Sequence, residues 1–382
     1  MPEAPASGSA ARPSARPSRH DLLRLRFPRR RPVTALAAML LALLLGGPAE
    51  ADDESEPPTT SAAAPGTARA ARPMRSDPAV ALQRASDAVV GVEINGVDGA
   101  TSNEMLGQFR AGSGVVIAED GLVLTIGYLL LEAEEASLVL DSGRRVPARV
   151  LGVDLATGFG LVQALLPLQV PAAPLARDTR VRQDEVLMLV SGGSDGAISL
   201  ARLAARRSFS GYWEYHIDTA LFTQPPRTDH SGAGLFNARG ELLGIGSLLV
   251  MDTPSEHDAG PGNMFVPIDL LAPILRELRE RGSSSASHRA WLGLNCLQEA
   301  EGVRVVRVNP ESPAEAAGVE AGDLIRRIDG VPVSDLEGFY KRLWSGSAER
   351  RIPLDVVRDG KPRHIDVQSV DRLQTLRRAR SI

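Results

Sequence analysis

The chain has 382 residues, 43% of them apolar, which is enough for two or three domains with real cores, while 36 Gly, 27 Pro and 4% aromatic residues favour short strands and turns over long helices. The formal net charge of −4 hides an asymmetry: eight Arg and three acids precede position 52, leaving 35 basic and 44 acidic residues beyond it, a balance that argues against nucleic acid as a general partner. A single cysteine, Cys296, excludes an intramolecular disulfide and a cysteine-built metal cage, and is expected as a small core residue in a strand.

In chain order, a basic stretch ending Arg29-Arg30-Arg31-Pro32 precedes the 13-residue apolar run Val33–Leu45, then Gly46-Gly47-Pro48 and Ala49-Glu50-Ala51. Charged flank, short apolar segment and A-x-A make a secretory signal over residues 1–51, cleaved after Ala51, with an uncleaved anchor as the alternative; the run is too short to span a bilayer, which needs about 20 residues. The expected destination is the periplasm. Residues 52–78, rich in Pro, Ala, Ser and Thr, read as a disordered linker. Over 79–282 short β-like runs (Val89–Ile94, Val115–Ile117, Leu122–Thr125, Ser137–Leu140, Val186–Val190, Leu242–Leu249) predict a barrel or sandwich, closed by a helix over Ile268–Arg281. Residues 283–288, mostly Ser, predict a flexible linker. Residues 289–370 alternate strands with two helices, and 371–382 read as a solvated basic tail.

Three segments carry chemistry. Asp229-His230-Ser231-Gly232-Ala233-Gly234-Leu235, followed by Gly240-Glu241-Leu242-Leu243-Gly244-Ile245, resembles the serine segment of trypsin-like proteases, and more closely the HtrA (DegP-like) branch with G-N-S-G-G-P-L and G-x-φ-φ-G-I. Gly112-Ser113-Gly114-Val115-Val116-Ile117 and Asp120–Leu130 resemble that family's G-S-G-φ-φ-I and D-G-φ-φ-φ-T-N-x-H-V-V without a gap, and Gly152–Leu161 resembles G-V-D-x-x-T-D-L-A-L. Phe265-Val266-Pro267 is similar to the family's pocket edge. The resemblance covers essentially residues 80–370 and implies a mainly β protein: a trypsin-like double β-barrel followed by an α+β PDZ domain.

The departures matter most. In that register the nucleophile is kept as Ser231, but Tyr128 stands at the imidazole position, Gly158 at the carboxylate position and Asp229 at the glycine of the oxyanion site. A phenol with an ordinary pKa near 10 is no base at neutral pH, and glycine offers no charge. Of the six histidines, only His230, His216 and His257 remain as candidates for a rescuing base, and nothing in the sequence places them there.

Ser312–Ile325 with Asp329-Gly330 looks like the signature of bacterial PDZ domains: Pro313 starts a short helix, Gly318 ends it, and Gly322-Asp323 turns into the next strand. Upstream, Arg289-Ala290-Trp291-Leu292-Gly293-Leu294 resembles the carboxylate-binding loop, which implies peptide binding by Leu292, Gly293 and Leu294 backbone, with Arg289 adding charge and Trp291 at the groove edge or in the core. Leu336, Phe339, Tyr340 and Leu343 are expected on the helix facing that groove.

These readings favour an exported pseudoprotease that binds peptides, unfolded chains or protein C-termini without cutting them, with no cofactor and no metal. The alternatives are an active periplasmic endopeptidase using Ser231 with an unconventional base, and a scaffold whose dead barrel serves to oligomerise the PDZ domains. The family resemblance also implies a homo-trimer or association with an active relative.

Overall fold

The computed structural model describes residues 77–182, 185–254 and 259–377, so the expected signal segment and nearly all of the expected linker after it lie outside the described residues. Helix α1 (Pro78–Asp87) opens the fold, with Asp77 accepting a hydrogen bond from the Ala79 N–H at 2.9 Å and Pro78 at its first turn. Its apolar side, Ala81, Leu82 and Ala85, is buried.

Strands β1 (Val89–Gly96), β2 (Phe109–Val116), β3 (Leu122–Ile126), β4 (Ala133–Val139), β5 (Arg145–Val153) and β6 (Phe159–Ala164) close into a barrel in the order β1-β2-β3-β6-β5-β4. Strands β7 (Val186–Val190), β8 (Ile198–Gly211), β9 (Tyr215–Gln224), β10 (Gly234–Phe236), β11 (Leu242–Thr253) and β12 (Gly260–Pro267) close a second, in the order β10-β11-β12-β9-β8-β7. Closure leaves no sheet edge open. Val92, Ile94 and Leu138 share one buried face of the first barrel, and Leu187, Leu221, Leu235 and Phe265 one buried face of the second.

The closing helix is shorter than the periodicity predicts. A 3-10 turn covers Ile268–Leu270, and helix α2 begins only at Leu275 and runs to Arg281. Pro273 lies between them: it lacks an N–H and disfavours helical backbone in the residue before it, so the apolar spacing is split into two turns.

The expected flexible linker is tied down. The Ser284 and Ser287 hydroxyls both donate to the Asp154 carboxylate, and Ser287 Oγ accepts from the Leu155 N–H at 2.9 Å. Asp154, fully buried, also receives the Thr157 N–H at 2.7 Å and Thr157 Oγ1 at 2.6 Å. A buried carboxylate must find donors, and here the linker supplies two of them.

Beyond it, β13 (Ala290–Trp291), β14 (Leu294–Glu299), β15 (Gly302–Val308), helix α3 (Pro313–Ala316), β16 (Leu324–Ile328), β17 (Val331–Pro332), helix α4 (Leu336–Leu343), β18 (Arg351–Arg358), β19 (Lys361–Gln368) and β20 (Val370–Asp371) form the last domain. Its main sheet runs β14-β15-β16-β18-β19. Leu294, Cys296, Val305, Ile325, Phe339, Tyr340 and Leu354 are buried together, with Cys296 in a strand as expected. Order continues past position 370: β20 pairs with β13, and Arg372–Thr375 forms a 3-10 turn, so the first residues of the expected basic tail are structural.

Asp323, with no exposed surface, is held by Arg358 through Nε at 2.6 Å and Nη2 at 2.7 Å. Burial pushes its carboxyl up, but the Arg358 hydrogen bonds and charge outweigh this and hold it below the ordinary value. Its folded pKa is therefore depressed, so its contribution to stability is present above the usual carboxylate range and lost as pH falls through it. Replacing Arg358 with Met should cost about 3 kcal/mol in urea denaturation at pH 7, the penalty for leaving a buried carboxylate unpaired.

Candidate functional site

Ser231 sits in the turn before β10, at the seam between the barrels. The Ser231 carbonyl accepts from the Ser113 N–H of β2 at 2.8 Å, and the Gly232 N–H donates to Gly246 O of β11 at 2.8 Å. Gly232 has φ +74°, and a Cβ there would lie 1.9 Å from Ser113 O. Only glycine fits.

Tyr128 belongs to the 3-10 turn Gly127–Leu130 after β3, and its phenol reaches across the seam. Its Oη lies 2.7 Å from Ser231 Oγ and 2.9 Å from the Ser247 carbonyl. A phenol carries one proton, and a carbonyl can only accept. The Tyr128 proton therefore goes to Ser247 O, and the Ser231 hydroxyl donates to the phenol oxygen. Burial, partly offset by the hydrogen bond with Ser231, pushes the Tyr128 pKa up to about 12, so a phenolate is absent at neutral pH.

Gly158 follows the same logic of replacement. It has φ +85°, and a Cβ there would lie 3.1 Å from Tyr215 Oη, which donates to Thr157 O at 2.7 Å. The space an acid would enter at this position is taken by a buried phenol. Asp229 turns its carboxylate onto Arg227 Nε (2.7 Å to Oδ1) and Ser191 Oγ (2.6 Å to Oδ2). Burial raises its pKa, but Arg227 and Ser191 outweigh that and hold it below the usual range, so it stays an anion. Its negative charge is offset by Arg227.

No imidazole among the described residues is hydrogen-bonded to Ser231. His230 Nδ1 faces Arg227 O at 2.9 Å, and burial depresses its pKa. His216 lies between Ser210 Oγ (2.8 Å) and Asp218 (3.3 Å), His288 pairs with Asp371 and His364 with Asp355. His257 lies outside the described residues.

In the last domain the Leu292, Gly293 and Leu294 N–H groups converge on one carboxylate. The carboxylate is internal. Glu214, 3% exposed at the tip of the β8–β9 hairpin, receives Leu294 N at 2.7 Å, Gly293 N at 2.8 Å and Leu292 N at 3.2 Å. Burial raises the Glu214 carboxyl above its ordinary value, and these donors with the charge of Arg372 offset only part of that.

A family model described as a trypsin-like peptidase domain matches residues 112–245, and one described as a PDZ domain matches residues 290–368. A probable periplasmic serine endoprotease DegP-like of Halomonas elongata is 26% identical over 272 residues, 67% of this chain and 55% of that protein. The corresponding protein of Brucella suis is 26% identical over 67% of this chain and 52% of its own length. The chain is similar to the HtrA/DegP serine proteases over about two thirds of its length. A putative serine protease HhoA of Synechocystis is 26% identical over 68% of this chain and 70% of its own. The chain thus spans about half the length of the DegP-like relatives it matches, 55% and 52%. A solved structure of a variant of the HtrA-type protease AlgW with tripeptide aligns with a TM-score of 0.51 at 21% identity, covering 77% of this chain and 97% of that one, a likeness of fold.

The fold of this HtrA-like chain is mainly β, trypsin-like plus PDZ, as its sequence predicts. One site expectation needs correction. Arg289 does not add charge at the carboxylate: its Nε donates to Ala286 O at 2.8 Å and its guanidinium lies 4.3 Å from the Trp344 ring centroid. Arg372 supplies the charge instead, reaching Glu214 O at 3.2 Å from a position the sequence assigns to the tail. Trp291, half-buried in β13, pairs with Val370 and packs against Gly293. As for metals, His216, Asp218 and Glu337 bring possible ligand atoms within 4.8 Å of one another, but Lys341 already pairs with Asp218 at 2.6 Å and Glu337 at 2.7 Å. A cation would have to displace that ammonium.

Two outcomes test this geometry. Gly158→Asp and Gly158→Ala should both destabilise by about 1–3 kcal/mol in urea, because the cost lies in left-handed backbone rather than in charge. For Tyr128, the neutral phenol persists in the folded protein to about 12, whereas an unfolded chain ionises it near pH 10. Its contribution to stability is therefore whole below about pH 10 and lost as pH rises towards 12. Tyr128→Phe should leave the tyrosinate absorbance change at 295 nm between pH 9 and 11 unaltered.

Proposed function

We propose that this HtrA-like chain is an exported pseudoprotease, a protein that holds polypeptide through its barrels and PDZ domain without cutting it. The observation that carries the proposal is the phenol of Tyr128, seated 2.7 Å from Ser231 Oγ with Ser247 O as its own acceptor at 2.9 Å. Attack by a serine hydroxyl on a carbonyl needs a base for its proton. The atom facing Ser231 is a phenol oxygen that already carries a proton, and doubly protonating it is out of reach near neutral pH. Losing the base of such a group costs about a million-fold in turnover. The absent acid at Gly158 adds nothing to restore it.

Export is supported by the basic flank, the apolar run Val33–Leu45 and Ala49-Glu50-Ala51, together with relatives named periplasmic. Polypeptide binding is supported by the PDZ domain and by a loop whose N–H groups already hold a carboxylate. Assembly as a trimer, or on an active relative, remains part of the proposal through the family resemblance alone.

Purified protein should neither degrade casein nor be labelled by a serine-directed fluorophosphonate above the level of Ser231→Ala. Cleavage or labelling that disappears in Ser231→Ala would return the chain to the endopeptidases.

A further inference from the structure

The β8–β9 hairpin ends in Gly211-Tyr212-Trp213-Glu214-Tyr215, where Gly211 pairs with Tyr215 and Glu214 adopts φ +56°. This tip lies along β14 in the manner of a bound peptide. Glu214 takes the Leu292, Gly293 and Leu294 N–H groups, and two residues earlier Tyr212 O accepts from the Cys296 N–H at 2.8 Å. As β14 numbers rise the hairpin numbers fall, so the two run antiparallel. Helix α4, on the other side of the groove, adds Tyr340, whose Oη donates to Gly211 O at 2.8 Å and accepts from Glu214 N at 3.2 Å. Arg372 Nη1 meets Trp213 O at 3.5 Å and Glu214 O at 3.2 Å. Every part of a peptide-capture mode is engaged: backbone donors on a carboxylate, main-chain pairing on a strand edge, and a helix closing the groove.

We infer that the PDZ groove is occupied in cis by the barrel's own hairpin, with the Glu214 side chain standing in for a peptide's terminal carboxylate, so that this site takes an external C-terminus only in exchange for Glu214. The inference rests on Leu292–Leu294 being a carboxylate receptor and is independent of whether Ser231 cleaves. Three features support it. The buried carboxylate makes three N–H contacts that match the donors available in the loop. The spacing between the carboxylate and the Tyr212 carbonyl fits a residue and its second predecessor in an extended ligand. The positive φ at Glu214 is a strained conformation for a side-chain-bearing residue, held where its carboxylate can reach the loop. An internal ligand competes at an effective concentration in the millimolar range or above, which weakens an external peptide of micromolar intrinsic affinity by a large factor.

The probe is a fluorescein-labelled peptide copying residues 207–213 followed by a C-terminal Ala, as the free acid and as the C-terminal amide, titrated into the mature chain and into Glu214→Ala by fluorescence anisotropy. Glu214→Ala should bind the free acid at least about 30-fold more tightly than the unaltered protein does, and prefer it to the amide. Equal affinity for both proteins would overturn the inference, since the groove would then be open already. Binding by neither, with Glu214→Ala shown folded by circular dichroism, would overturn the carboxylate-receptor reading itself. Should Glu214→Ala fail to fold, hydrogen exchange on the unaltered protein decides: the Leu292–Leu294 amides should exchange as slowly as those of β14, and exchange at open-loop rates would refute the plug.

Discussion

The turn that carries Ser231 is held by main-chain contacts that owe nothing to proton transfer. Ser113 N–H binds the Ser231 carbonyl, Gly232 passes within Cβ-clash distance of Ser113 O, and a Cβ on Gly246 would lie 2.0 Å from His230 O. Strands β2 and β11 grip the turn from both sides because glycines let the backbones approach. The seam between the barrels is therefore set by backbone contacts and not by the side chains that line it. Phenols line it: Tyr128 against Ser231, and Tyr215 against Gly158. Both burials satisfy the hydroxyl with a backbone carbonyl, Ser247 O and Thr157 O. A neutral hydroxyl paired in this way carries no charge that would need solvation in a dry seam.

Elsewhere the chain spends its buried carboxylates on joining parts. Asp154 gathers two serines of the interdomain segment, and Glu214 gathers three N–H groups of the PDZ loop. Each is nearly or fully excluded from water, so each binds its partners strongly and leaves a costly orphan if they depart. Lys341 between Asp218 and Glu337 adds a third, exposed link worth little by comparison.

Much of this was legible because local chemistry repeats in a readable register. Gly112–Gly114, Gly158 and Ser231–Gly234 mark backbone positions where glycine or a tight turn is required, and Pro313, Gly318 and Asp323 mark the PDZ turns in the same way. The replacement residues could be named, but the direction of the Tyr128 side chain could not, since that depends on a contact 103 residues away. Glu214 escaped for the same reason, 78 to 80 residues from its donors. One clue was available: of four Tyr and three Trp in the chain, Tyr212, Trp213 and Tyr215 surround a single acid at a hairpin tip. Serine-rich composition shows no periodicity, so the order of residues 283–288 depends on a partner far off in the chain, Asp154. The helix over Ile268–Arg281 was overextended because apolar spacing outweighed Pro273.

Hydrogen bonds to a charged group contribute about 1.5–3 kcal/mol each, net of water. Three of them bind Glu214, but opening the groove also returns the carboxylate to water, so the full sum is not the cost. Even one bond's worth, about 2 kcal/mol, leaves the groove open in only a few per cent of molecules, since about 1.4 kcal/mol is tenfold. A client ending in a free carboxylate must offset that bias before it gains any net affinity. Binding at the PDZ groove and the position of the β8–β9 hairpin are thus one equilibrium, and because that hairpin is continuous with β9 of the second barrel, a client at the groove changes what the barrel can hold in place.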